Sequence, residues 1–336
     1  PMFDKLVEIL DIINLLLIND NRPPLKRKDI FDKEGNLKLS GEKILIEKSR
    51  GYVSFLRGEH PIKFPLRLYP SLYNDPDIIK QYPSIDLNGV PIPPDDRIKQ
   101  MTLMGCRMKD YQLNAYSQMN TASSDDDYGA FNSTALMASN IVYPFGEDEP
   151  IKRLISKAGF LNLIKEEKRG FSFKSDESKD LFTRSEIGKY SSKIKSIIDG
   201  LEGHTNGIIF IYSQFIYAGV LPIALALEMN GFCKLGGSLI KGKKEQPNDK
   251  KYIIISGNDA LSKNAYKDYL KLEEKNKDGS QVKVIIGSET ASEGLDFKYI
   301  REVHVFDPWH HFNKIEQVIG RAIRNCSHKD LPFKQR

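Results

Sequence analysis

Gly207-Ile-Ile-Phe-Ile-Tyr-Ser-Gln-Phe-Ile-Tyr-Ala-Gly-Val-Leu-Pro-Ile-Ala-Leu-Ala-Leu-Glu-Met-Asn-Gly231 changes rhythm in the middle, and that change decides the fold. Residues 207–212 are an unbroken apolar run without alternation, as in a strand covered on both faces. Residues 218–230 have the length and content of a helix, with Gly231 at the stop position. Working outward, Tyr252-Ile-Ile-Ile-Ser256, Val282-Lys-Val-Ile-Ile286 and Val303-His-Val-Phe306 repeat the strand signature. Helical segments lie between them. Strand, helix, strand, repeated, predicts a doubly wound parallel α/β domain.

Ligands bind such sheets beyond the carboxyl ends of the strands. Three small, polar segments fall there: Ser213-Gln214, Gly287-Ser-Glu-Thr-Ala-Ser-Glu-Gly-Leu-Asp296 and Asp307-Pro-Trp-His310. Any one of them reads equally well as a solvated connection. The segment that follows tips the balance. Asn313-Lys-Ile-Glu-Gln-Val-Ile-Gly-Arg-Ala-Ile-Arg324 predicts a helix with Asn313 as N-cap. Ile315, Val318, Ile319, Ala322 and Ile323 share one side, and Gln317, Arg321 and Arg324 form a stripe on the other. Gly320 borders the stripe, where a missing side chain permits close approach. Guanidiniums without neighbouring carboxylates at helical spacing suit phosphate oxygens, which match their planar fork of donors.

These residues resemble motifs IV to VI of superfamily 2 helicases. Gln317-x-x-Gly320-Arg321-x-x-Arg324 is similar to motif VI, Ser288-Glu-Thr-Ala-Ser-Glu293-Gly294-Leu-Asp296 to motif V, and Ile208-Ile-Phe-Ile-Tyr-Ser213-Gln214-Phe215 to motif IV. The resemblance extends to the transcription-associated helicases of poxviruses and other large cytoplasmic DNA viruses. That group includes an early transcription factor small subunit and a nucleoside triphosphatase. The supporting segments are Gly51-Tyr-Val-Ser-Phe-Leu-Arg-Gly58, Ser139-Asn-Ile-Val-Tyr-Pro144 and Glu316 to His328, while Pro1-Met2 and the helix after it are similar to the end of motif III.

The resemblance implies a RecA-like sheet from residue 183 to 336. It implies a remnant of a first RecA-like domain with a Pro-rich, partly helical extension over 1–120, and 121–182 is expected to be a loop-rich connector. It also implies ATP and Mg²⁺, held mainly by a first domain. Arg324 would be the arginine finger, assisted by Arg321, with Gln317 helping to hold the cleft; Glu293, Gly294, Asp296 and Gly320 would meet nucleotide or the facing domain. Ser213, Gln214, Ser288 and Thr290 would meet a DNA or RNA backbone. Implied partners are nucleic acid, the first RecA-like domain and a viral RNA polymerase, and the implied location is the host cytoplasm or virion. A non-catalytic nucleic-acid- or partner-binding module of a transcription complex is the alternative.

The rest of the chain narrows this reading. It opens at Pro1 and stops at Arg336 with no initiator methionine or obvious terminator, so it is expected to be a piece of a longer chain. Its 336 residues, 40% hydrophobic and 28% charged, are ordinary globular values. The most apolar run, Ile9 to Ile18, is interrupted by Asp11 and Asn14, so no membrane span is expected. Neither is a secretory leader. Cys106, Cys233 and Cys326 lie far apart without a Cys-x-x-Cys pair, which excludes a zinc ribbon and a disulfide framework. The balance of 50 Lys and Arg against 45 Asp and Glu gives +5, compatible with a polyanion but not specific for one.

Residues 2–19 predict a helix carrying Phe3, Leu6, Val7, Leu10, Ile13, Leu16 and Leu17, while the prolines of 60–97 predict an extended connector. Gly237-Ser-Leu-Ile-Lys-Gly242-Lys243-Lys244 imitates a phosphate loop. Lys244, however, stands where a Mg²⁺-binding Ser or Thr is needed, and no helix follows. It reads as a basic hairpin or insertion, leaving half an active site and an expectation that this chain alone hydrolyses no ATP. His304, Asp307, His310 and His311 read as rim residues, with no metal expected.

Overall fold

Apolar runs that fail to alternate need cover on both faces, and the sheet they form has it. The structure, a computed structural model, describes residues 6–53, 63–68, 77–79, 84–85, 90–94, 97, 103–122, 133–144, 150–168, 170–203, 206–289, 295–308 and 312–336. The chain divides into two units, Pro1–Pro61 with His311–Glu316, and Ile62–His310 with Gln317–Arg336.

In the first unit, a 3₁₀ turn over Leu6–Glu8 leads into α1 (Ile9–Asn19), followed by α2 (Arg27–Ile30) and α3 (Leu39–Ser49). Leu10, Ile13 and Leu17 are buried as their spacing predicts, and the expected start of this helix lies outside the described residues. Asn14, which interrupts the apolar run, exchanges two bonds with the Leu25 backbone: its Nδ2 donates to the carbonyl at 3.0 Å and its Oδ1 accepts from the amide at 2.6 Å. An intruding polar residue therefore becomes a tie between α1 and the segment entering α2.

The second unit opens with α4 (Asp110–Ala122), α5 (Ser133–Asn140), α6 (Ile151–Leu154), α7 (Lys157–Leu163), the hairpin β1 (Ile164–Glu166) and β2 (Phe171–Phe173), and α8 (Asp176–Asp180). Residues 121–182, expected to be loop-rich, thus contain helices. They are too short to display a period, and packing sustains them: Ala115, Ala138, Val142, Leu154 and Ile155 form one small core, and Phe160 and Leu163 of α7 join the larger core against the sheet. In the Pro-rich stretch, the described residues form only isolated bridges, Ile78 with Met104 and Ile85 with Pro91.

Then come α9 (Ser192–Gly203), β3 (Ile208–Tyr212), α10 (Leu221–Met229), β4 (Phe232–Lys234), β5 (Lys250–Ile255), α11 (Asp259–Ser262), α12 (Ala265–Leu272), β6 (Val284–Gly287), β7 (Ile300–Val305) and α13 (Phe312–Ile319). The strands form one parallel sheet in the order β4-β5-β6-β3-β7. All four predicted strands are present. The edge strand β4, three residues long, has no run to read. Ile209 and Ile211 face one core with Ile194, Ile198, Ala224 and Leu225, while Ile208, Phe210 and Tyr212 face another with Phe297, Tyr299 and Val318. The helix predicted from residue 218 begins at Leu221, because Ala218 (φ −107°, ψ 18°) breaks the helical path inside a π turn over Ile216–Val220. Gly231 adopts φ 81°, as its stop position requires. Among the described residues no helix is long and apolar enough to cross a membrane.

Candidate nucleotide and nucleic-acid edge

The order of the sheet sets β3 between β6 and β7, so the carboxyl ends of these three strands lie side by side. Backbone bonds carry the ladder past them: Ser213 N donates to Gly287 O (3.0 Å), Phe306 N to Tyr212 O (2.9 Å) and Ser288 N to Ile255 O (2.9 Å). The described parts of the segments picked from the sequence as strand ends, Ser213-Gln214, Gly287 to Glu289 and Asp307-Pro308, therefore share one edge.

At the centre of that edge lies Asp307, 1% exposed. Its Oδ1 accepts from the Ser213 hydroxyl at 2.5 Å and from Asn140 Nδ2 at 3.2 Å, and its Oδ2 accepts from the Gln214 amide at 2.8 Å. Burial pushes its carboxyl up to about 6, against the pull of those donors and of the Lys193 charge. Lys193 Nζ donates to Asn140 Oδ1 (2.8 Å), Ser139 Oγ (2.9 Å) and Phe306 O (2.9 Å), and burial brings its ammonium down to about 8. Ser213 is itself wholly buried. Its hydroxyl, expected to meet a nucleic-acid backbone, is spent on Asp307, so it holds the turn that presents Gln214. Ser288 is also buried. Thr290, Glu293 and Gly294 lie outside the described residues, as do Trp309, His310 and His311.

Gly219 closes the turn from beneath, since a Cβ there would stand 1.9 Å from Ser213 Oγ. Gly219→Ala must displace Ser213 from Asp307. The expected cost is about 1–3 kcal/mol, the range for overpacking a filled core, read as a lower urea midpoint at constant slope.

The helix carrying Gln317 departs from expectation. It starts at Phe312, so Asn313 lies inside it rather than capping it, and it ends at Ile319. Gly320 and Arg321 follow in a turn and Arg324 in an irregular stretch beyond it, so the continuous helical stripe does not form. The two guanidiniums meet nonetheless, on a different scaffold. Arg321 Nη1 and Arg324 Nη2 both donate to Leu295 O, at 3.1 and 3.2 Å, and Arg324 Nε faces Asp296 Oδ1 at 3.2 Å. Tyr266, which the sequence reading missed, pins this loop. Its hydroxyl donates to Asp296 O at 2.9 Å and accepts from the Asp296 amide at 3.2 Å. The Arg324 and Asp296 side chains are 36% and 60% exposed, so their ion pair is worth little and exchanges readily for a stronger anion.

The imitation phosphate loop has its own anion. Leu239 N (2.6 Å), Ile240 N (3.1 Å) and Ser238 Oγ (2.5 Å) donate to the buried Glu228 carboxylate, as does the Tyr252 hydroxyl (2.9 Å). Those donors serve the chain itself; the segment is an inserted loop and not a hairpin, since β4 and β5 on either side of it pair in parallel and Ile240 makes a single parallel bridge to Phe171. Among the described residues no group of three His, Cys, Asp or Glu side chains could hold a metal; His304 pairs with Glu302.

Residues 192–326 match the family described as Helicase conserved C-terminal domain. Over 98% of its length the chain is 30% identical to a protein of Acanthamoeba polyphaga mimivirus named "Putative ATP-dependent RNA helicase", of which it covers 50%. It is 28% identical over 98% of its length to a "Putative helicase" of Invertebrate iridescent virus 3, covering 29% of that protein. It is 22% identical along its whole length to an "Early transcription factor large subunit homolog" of African swine fever virus, covering 32%. The chain spans half or less of the length of these curated relatives.

Proposed function

We propose, from the premise that this chain carries the C-terminal region of a superfamily 2 helicase of the kind large DNA viruses encode, that it is the arginine-bearing half of a nucleic-acid-dependent ATPase acting in viral transcription. The observation that carries this reading is the convergence of Arg321 and Arg324 on the Leu295 carbonyl beside Asp296. Two positive forks resting on a weak acceptor and an exposed carboxylate are poised to trade them for phosphate oxygens.

ATP, held with Mg²⁺ mainly by a P-loop domain, supplies the phosphoryl transfer. Arg324 leaves Asp296 and meets the charge that builds on the terminal phosphate, and Arg321 orients it. Gln317, at the end of α13, helps hold the facing domain. Glu293, Gly294 and Gly320 border the nucleotide. Gln214, on the turn fixed by Asp307, and Thr290 track the DNA or RNA backbone, contacts that fix position without reading sequence. The name of the African swine fever relative supports a place in a transcription complex, with a viral RNA polymerase as partner.

The test separates the halves. ATP turnover by this chain alone, with and without a single-stranded oligonucleotide, is expected to stay at background, and turnover is expected to appear when a P-loop domain is joined to it or added. Turnover by the isolated chain that depends on Arg324 overturns the reading.

A further inference from the structure

The segment Ser139-Asn-Ile-Val-Tyr-Pro144 resembles a stretch of the viral helicases, yet it falls outside motifs IV to VI and none of the chemistry above uses it. The structure places it against the turn after β3. Asn140, at the end of α5, stands between the two buried charges, its Nδ2 donating to Asp307 Oδ1 (3.2 Å) and its Oδ1 accepting from Lys193 Nζ (2.8 Å). Its carbonyl accepts from the Ser191 hydroxyl at 2.5 Å, which holds the start of α9, and the Val142 amide donates to Tyr190 O at 3.0 Å. Three residues after Asn140, the buried Tyr143 hydroxyl donates to Tyr217 O, in the π turn. One short segment thus grips both ends of the turn 213–217, at Ser213 and Gln214 through Asp307 and at Tyr217 directly.

We propose that Ser139–Tyr143 is a clamp in which Asn140 and Tyr143 act as positioning residues, setting the Ser213–Tyr217 turn for a nucleic-acid backbone. The ligand half of this proposal rests on the function proposed above; the clamp itself does not. An amide side chain can answer a carboxylate and an ammonium at once, its NH₂ donating to one and its oxygen accepting from the other. A buried network of this kind fixes one geometry only when every member is satisfied.

The groups facing Asp307 are the Ser213 hydroxyl and Gln214 amide from the end of β3, Asn140 from α5 and Lys193 from α9. The thiol of Cys106, near Lys193, is pushed up by burial and stays neutral through the relevant range. Below about 6 Asp307 takes up a proton and loses acceptor capacity, and above about 8 Lys193 loses its charge. Both shifts favour the neutral form in the buried clamp, so the closed turn takes up the Asp307 proton and sheds the Lys193 proton more readily than an opened one would; the clamp is loosest between those limits and tightens as the pH falls through about 6 or rises through about 8.

Two measurements decide the matter. The first is amide hydrogen exchange of the peptide covering 213–217, corrected for intrinsic rates, across pH 5 to 9. Asn140→Leu is expected to speed its exchange about tenfold, leave the β5 peptide unchanged, and move the acid limb upward, since the ionised form of Asp307 loses a donor. Tyr143→Phe, which removes a single hydroxyl, loosens only the 215–217 end and serves should Asn140→Leu not fold. Asp307→Asn should erase the acid limb. Unchanged exchange at 213–217, or loosening spread evenly over the sheet, overturns the clamp. The second measurement is the affinity of this chain for a fluorescein-labelled 20-nucleotide single strand, by anisotropy. A tenfold weaker Kd with an unchanged binding-competent fraction is expected for Asn140→Leu. An unchanged Kd refutes the ligand half of the proposal, whereas absence of binding by the wild-type chain counts against the proposed function and leaves the clamp to the exchange result.

Discussion

Arg324→Ala is expected to lower ATP turnover of the assembled ATPase by about 10³-fold or more while ATP affinity stays within a few-fold, because a cis arginine acts on charge that exists only as the phosphoryl group transfers. The geometry gives this a particular form. At rest the guanidinium spends its Nε on Asp296 and one Nη on Leu295 O, so it is already oriented and desolvation is partly complete before nucleotide arrives. Arg324→Lys should recover little, since an ammonium cannot span two acceptors with a planar fork. Arg321→Ala should be milder, with its larger effect on the steadiness of the Leu295 loop. Steady-state turnover and nucleotide binding by equilibrium titration separate these outcomes, and turnover that survives Arg324→Ala removes the role assigned to it.

Glu228→Ala should destabilise the second unit by about 3–5 kcal/mol, because it strands buried donors rather than deleting a contact. Glu228 is 2% exposed and accepts from Leu239 N, Ile240 N, Ser238 Oγ and the Tyr252 hydroxyl. These donors come from the basic loop between β4 and β5 and from β5 itself. Removing the carboxylate frees that loop and leaves the Tyr252 hydroxyl facing the core. For a unit of this size the loss corresponds to a fall of about 10 °C in Tm. Glu228→Gln, which keeps one acceptor oxygen but turns an NH₂ toward amide donors, should fall between. Thermal and urea unfolding measure both, and a midpoint equal to wild type for Glu228→Ala would show that the loop is not held this way.

The parallel sheet was legible because burial on both faces writes itself into each strand: Ile208–Tyr212 and Tyr252–Ile255 are apolar at every position since each face has a core to meet. β4 was not legible, being three residues paired along one edge. The helices of 121–182 escaped notice for a related reason: four to eight residues are too few for a period, and the small core shared by α5 and α6 gathers residues as far apart as Ala115 and Ile155. On the site, the residue types at the strand ends were readable while their employment was not. Ser213 is polar at a strand end, which suggested a ligand, and its hydroxyl turned inward because Asp307 waits there.

What the sequence determined by itself was therefore everything carried by near neighbours: the strand and helix rhythm, the sheet class, and the spacing of Gln317, Gly320, Arg321 and Arg324. The tertiary structure decided what those groups touch. α13 stops at Ile319, and Arg321 and Arg324 converge only because the Leu295 carbonyl comes to them from 26 and 29 residues away. Asn140 finds Asp307 across 167 residues. Hydrophobic periodicity is a local record of burial, whereas a buried acid and its donors are matched by chain crossings that leave no local trace, so only the folded arrangement could assign them.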